Sequence, residues 1–146
     1  MKEIVDNITV KVIIESKMTH LPLLRQTVRG ICSNVIDNEK IFQDIDLSLN
    51  EALSNVIFHA YQNEPDHEIQ ITVTLYPEQV VFEIVDLGLK NLNINSTIPS
   101  FDEDSIDIDS LAESGRGMFL IHQLMDEVIY KPEADKNILI LRKRFK

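Results

Sequence analysis

The segment from about Lys40 to Gln62 constrains the fold of this chain more than any other. Leu49, Ala52, Leu53, Val56, Ile57 and Ala60 recur there at steps of three and four, laying one apolar stripe along one face of a long helix. Such a helix needs its stripe covered, and the next residues provide the cover. EIQITVTLY at 68–76 alternates Ile69, Ile71, Val73 and Leu75 with polar residues. Pro77-Glu78-Gln79 makes a short turn, and VVFEIVD at 80–86 returns as a more continuously apolar strand, suited to a central position.

The rest of the chain fits around that helix and hairpin. ITVKVII at 8–14 is β-branched and reads as a strand. From about His20 to Val35, Leu21, Leu24, Val28, Ile31, Cys32 and Val35 keep helical spacing, with Thr19 suited to an N-cap region and Pro22 to the first turn. Residues 87–114 look irregular and contain the acidic run FDEDSIDIDS; a loop that long is usually functional or disordered. A helix is expected at 115–126, starting after Ser114, and strands at 127–131 and 137–144. The order β-α-α-β-β-loop-α-β-β predicts an α+β two-layer sandwich: a mostly antiparallel, mixed sheet with helices on one face. The 146 residues form one expected domain, 1–146.

Charge and composition narrow the function. The formal net charge of −10 disfavours direct nucleic-acid binding and attachment to anionic membranes. The one cysteine, Cys32, allows no intrachain disulfide and no cysteine-based zinc set, and the four histidines lack ligand spacing. No stretch has the length of a membrane span, and MKEIVDNITV does not resemble an export signal. A cytoplasmic location is expected.

Three short motifs remain. Glu51, Asn55 and His59 stand at i, i+4 and i+8, one row on the long helix, where a carboxylate and an amide oxygen one turn apart can hold a hard cation and a water. Asp86-Leu87-Gly88 ends an apolar strand; a carboxylate there can accept a hydrogen bond from an exocyclic amine, and the glycine permits an unusual turn or close approach of a flat ring. Gly115-Arg116-Gly117 precedes MFLI, and glycines at a helix start expose amides to an anion, with Arg116 as a further phosphate contact. Each motif alone has a plain alternative: a solvated helix face, a strand-ending turn, a loop-to-helix joint. Three of the four glycines nevertheless fall in two of these motifs, so glycine is not generic loop filler.

In that order and spacing, the motifs resemble the GHKL (Bergerat-fold) ATPase superfamily, and most closely the small anti-sigma-factor serine/threonine-protein kinases of the RsbW and SpoIIAB type. LSLNEALSNVIFHAY (47–61), VFEIVDLG (81–88) and ESGRGMFLIHQLMDEVIY (113–130) hold the resemblance, and KMTHLPLLRQTVRGI looks like that family's first helix. The resemblance implies a histidine-kinase-like ATPase domain that uses ATP and Mg²⁺. It implies Glu51 as general base, Asn55 as the Mg²⁺ ligand, Asp86 as receptor of the adenine amine with Gly88 beneath the ring, residues 89–114 as a lid, and Gly115 and Gly117 at the phosphates. His59 matches a family position near the pocket. It further implies a homodimer that phosphorylates a STAS-domain anti-sigma antagonist and sequesters a sigma factor.

Two departures keep an alternative open. Leu89-Lys90-Asn91 follows Gly88 where a second glycine or a proline is common, and the lid holds Asp102, Glu103, Asp104, Asp107 and Asp109. They suggest a GHKL-like module that binds a partner without chemistry. A histidine-kinase catalytic domain fits less well, because no dimerisation and phosphoacceptor helix pair precedes Glu51.

Overall fold

The hairpin read from alternation forms as β2 (Glu68–Leu75) and β3 (Gln79–Asp86) of a five-stranded sheet, in a computed structural model that describes residues 6–90 and 113–146. β1 (Ile8–Glu15) flanks β2, while β5 (Asn137–Arg144) pairs with β3 and places β4 (Glu127–Pro132) at the far edge. The order is β1-β2-β3-β5-β4, and every pairing among the described strands is antiparallel. The expected mixed sheet is therefore corrected. Both hairpins close through short turns, and β5 docks beside β3 in the opposite direction, so no parallel pair arises among the described strands.

Register puts the apolar positions in rows. Val73 faces Phe82, which faces Leu141; Ile71 faces Ile84, which faces Leu139. These six side chains are buried and form one face of the sheet. The row one step further along β3 and β5 pairs Asp86 with Asn137, two buried polar residues at the margin of the core. The opposite face carries Thr9, Lys11, Ile13 and Glu83, all exposed.

Helices cover the apolar face. α1 (Leu21–Cys32) contributes Leu21, Leu24, Val28 and Cys32, and α2 (Glu39–Asn55) contributes Phe42, Ile45, Leu49, Ala52 and Leu53. α3 (Glu113–Leu124) adds Met118 and Ile121 to the same cluster. Burying each larger side chain is worth roughly 1.5–3 kcal/mol. Asn38 caps α2, its Oδ1 accepting from the Ile41 amide at 3.2 Å. Thr19 makes no such cap: it lies in a 3₁₀ turn, Met18–His20, and α1 starts from His20 without a side-chain cap, although Pro22 does fall in the first turn. That helix is also shorter than its apolar periodicity, because the chain turns after Cys32 and buries Val35 and Ile36 from outside it.

A clasp joins α2, α3 and β5. Lys143 Nζ lies 3.1 Å from Asp44 Oδ2 and donates to the Leu124 carbonyl oxygen at 2.5 Å, so one ammonium pairs a carboxylate and satisfies the end of α3. Burial pushes the Asp44 carboxyl up, but the ammonium groups of Lys40 and Lys143 outweigh it and leave the carboxyl below the ordinary value. Among the described residues no helix is long and apolar enough to cross a membrane. The acidic run, and most of the expected lid, lie outside the described residues.

Candidate functional site

α2 does not run on to Gln62 as its stripe suggests. After Asn55 it widens into a π-helical segment, Val56–Ala60, closed by the Tyr61 amide on the Val56 carbonyl at 2.9 Å. Such wide turns are rare and recur at functional sites. The Ala60 carbonyl accepts from the Leu89 amide at 2.8 Å, which ties the π segment to the exit of β3. Tyr61 adds a second tie: its hydroxyl donates to the Glu68 carbonyl at 2.6 Å and accepts from the Leu87 amide at 2.8 Å. Gln62 and Asn63 then take left-handed conformations, with φ of 52° and 60°, as the chain leaves the helix.

Gly88 owes its identity to that junction. A Cβ placed on it would lie 2.3 Å from the Ala60 carbonyl oxygen, so no other residue fits while the two backbones touch. The unusual turn expected there is absent, since no described glycine has a positive φ. Close approach is what Gly88 supplies, and the partner is the π segment.

Asp86 sits beside it, 5% exposed. Its Oδ1 accepts from the Gly88 amide at 2.9 Å and from Asn137 Nδ2 at 2.8 Å, and among the described residues Oδ2 has no hydrogen bond. Burial raises the affinity of this carboxyl for a proton, and the bonds from Asn137 and Gly88 oppose that rise.

At the other end, Gly117 packs against α2. A Cβ there would stand 2.8 Å from Glu51 Oε2 and 3.5 Å from Asn55 Nδ2. The carboxylate, the amide and the bare helix backbone thus meet at one place, as the motifs imply. The helix begins two residues earlier than expected, however, which leaves Gly115 in its first turn but not Gly117. α3 begins at Glu113, so Gly117 is its fifth residue and lies past the first turn, whose amides are the free ones. Its visible contribution is the missing side chain beside Glu51. Arg116 is exposed and has no hydrogen bond or ion pair among the described residues.

A cleft of ≈ 410 Å³, measured out to open solvent, runs between Asp86 and Asn55, and neither Glu51 nor Gly117 is among the residues that line it. Asn55, His59 and Asp86 line it from the predicted set, with Met118, Tyr130 and Leu139 forming apolar and aromatic walls. Glu51 lies one turn from Asn55, outside those walls. The row Glu51, Asn55, His59 is corrected in one respect: the wide turn after Asn55 breaks its straight α spacing, and His59 belongs with Ala60 in the wall near Asp86. Tyr130, Asn137, Leu89 and Met118 escaped the sequence reading, because each reaches the cleft only through sheet pairing or helix packing. No group of three His, Cys, Asp or Glu side chains suited to a metal occurs among the described residues. A cation here would need ligand oxygens from a phosphate beside Asn55, a habit of Mg²⁺.

Comparison with known proteins places the chain in a family. The family model for the histidine kinase-like ATPase domain matches residues 14–143. The serine-protein kinase RsbW of Bacillus cereus (strain Q1) is 26% identical over 131 residues, spanning 88% of this chain and 81% of that protein. The RsbW of Oceanobacillus iheyensis is 28% identical over 119 residues (79% and 73%), and that of Bacillus pumilus 27% identical over 155 residues (99% and 89%). The crystal structure of the RsbU and RsbW domains of a Mycobacterium tuberculosis protein superimposes with a TM-score of 0.65 at 14% identity. It covers 93% of this chain, which spans 32% of that longer one, and it shows the shared fold.

Proposed function

The chain belongs to the histidine kinase-like ATPase domain family, and from that premise we propose that it is a Mg²⁺-ATP-dependent protein serine kinase and anti-sigma factor. It phosphorylates a STAS-type antagonist and sequesters a sigma factor, exchanging partners with nucleotide state. The observation that carries the reading is a cleft lined by both Asn55 and the buried Asp86, with Glu51 and Gly117 meeting beside Asn55. Its support from kinship is the set of relatives named serine-protein kinase RsbW.

The residues fit ATP. Asp86 Oδ2 takes the adenine amine, and Met118, Tyr130 and Leu139 face the base. Asn55 lines the cleft, and its carboxamide, with Gly115, Arg116 and Gly117 on the facing helix, is where the phosphates lie. Asn55 would hold Mg²⁺, which would neutralise phosphate charge when bound. Glu51 acts as general base: it takes the proton of the serine hydroxyl as that oxygen attacks the γ-phosphorus and ADP leaves. His59 packs at the pocket wall. The protein works as a homodimer in the cytoplasm, with no direct contact to nucleic acid.

The test is incubation with labelled ATP, Mg²⁺ and the cognate antagonist, beside calorimetric titration of ATP. Phosphoserine on the antagonist is expected, and Glu51→Ala is expected to keep ATP binding while losing transfer. A protein that does not bind Mg²⁺-ATP overturns the reading in favour of a non-catalytic partner-binding module.

A further inference from the structure

Asn137 lies outside the motifs, yet it is 1% exposed and bonded to Asp86 and to the chain that leaves β3. Its Nδ2 donates to Asp86 Oδ1 at 2.8 Å and to the Gly88 and Leu89 carbonyl oxygens, both at 3.2 Å. Its Oδ1 accepts from Lys90 Nζ at 3.4 Å. Lys90 in turn donates to the carbonyl oxygens of Glu133 and Lys136 in the β4–β5 turn. Acceptors on one side and a cation on the other leave the carboxamide a single orientation. Reversed, it would set an oxygen against the Asp86 carboxylate and an amine against the ammonium.

This arrangement has a chemical consequence for whatever binds Oδ2. An ionised Asp86 only accepts hydrogen bonds; a protonated one also donates. A 6-amino purine presents a donor at that position and a 6-oxo purine an acceptor. We infer that Asn137, oriented by Lys90, is the positioning residue that sets base selectivity, because it holds Asp86 as an acceptor and so favours a 6-amino over a 6-oxo purine. The inference rests on the nucleotide reading above and deepens it. Burial alone pushes Asp86 toward its protonated form, and the Asn137 bond is the first of the opposing contributions. Among the described residues, the other ionisable groups around the carboxylate are His59 from the π segment, Tyr61 after it, Lys90 at the strand exit, Tyr130 on β4 and Lys136 in the β4–β5 turn.

Removing the amide by Asn137→Leu therefore relaxes the choice. Calorimetry with Mg²⁺-ATP and Mg²⁺-ITP measures the affinity ratio in wild type, Asn137→Leu and Lys90→Met. The ratio is expected to fall by about 10- to 100-fold in Asn137→Leu, the size of one hydrogen bond to a charged group. It should recover as pH is raised and Asp86 loses its proton, a response that a merely structural role would not give. Lys90 is exposed, so Lys90→Met folds and should lower the ratio by ~2- to 5-fold. An unchanged ratio in folded Asn137→Leu overturns the inference, and if that variant does not fold, an unchanged ratio in Lys90→Met does so. Wild-type protein that binds neither nucleotide overturns the nucleotide reading itself.

Discussion

Gly117→Ala separates stability from chemistry at this site. The added Cβ would stand 2.8 Å from Glu51 Oε2, the far end of a flexible side chain. The carboxylate must retreat by ~0.7 Å to reach ordinary van der Waals separation, and it can do so by rotating, without moving either helix. Gly117 lies within α3, where alanine is worth up to ~1 kcal/mol more than glycine. The variant should therefore match or exceed wild type in thermal stability, by up to ~2–4 °C. Function should move the other way. Glu51 is displaced by most of an ångström and Asn55 gains a neighbour at 3.5 Å, where misplacement of about 1 Å can cost ~10²-fold in rate. Single-turnover transfer from labelled ATP, read beside thermal denaturation of the same samples, gives both quantities. A variant with wild-type transfer would refute the role of this contact. One destabilised by more than ~2 kcal/mol would refute the claim that only a side-chain end stands in the way.

The other glycines bracket that case. Gly88→Ala directs its Cβ at the Ala60 backbone, which cannot swing aside, so denaturant unfolding should show a loss of ~1–3 kcal/mol. Gly30→Ala meets nothing within 4 Å on an exposed part of α1 and should gain ~0.4–1 kcal/mol with transfer unchanged. For pH, burial raises the Asp86 carboxyl above the ordinary 3.8, so its contribution favours folding below 3.8 and is lost as pH rises through the folded value. Asp46, lowered by its bond from Arg25, behaves oppositely: its stabilisation holds above 3.8 and is lost as pH falls through the folded value. Asp86→Asn should thus be more stable than wild type at neutral pH and lose that advantage in acid-unfolding curves near and below 3.8; an advantage that persists there would contradict the burial of this group.

Much of this protein was legible before folding was considered. The alternation of Ile69, Ile71, Val73 and Leu75 sets which side of β2 enters the core, because successive side chains point to opposite faces whatever lies around them. The stripe through Ile45, Leu49, Ala52 and Leu53 does the same for α2. Both are local regularities, readable from a few residues. The π segment was not legible, since Val56–Ala60 carries the same apolar pattern as an α-helix and its widening is imposed by the meeting of Ala60 with Gly88 and Leu89. Nor was the position of Gly117 in α3, because Gly-Arg-Gly reads as a helix start when the turn before it carries no contrary signal.

The sequence by itself determined the element types, the faces they bury and the residue types available for chemistry, because each depends on the period of side chains along a few neighbouring turns. Only the tertiary structure decided which of those residues meet. Asp86 and Asn137 are 51 positions apart and touch because β3 and β5 pair in one register; Glu51 and Gly117 meet because α3 lies on α2 with no side chain between. A shift of one residue in that pairing would send Asn137 to the opposite face and leave Asp86 without its amide partner. Distances of a few ångströms across elements arise from packing many side chains at once, and no short stretch of chain contains them.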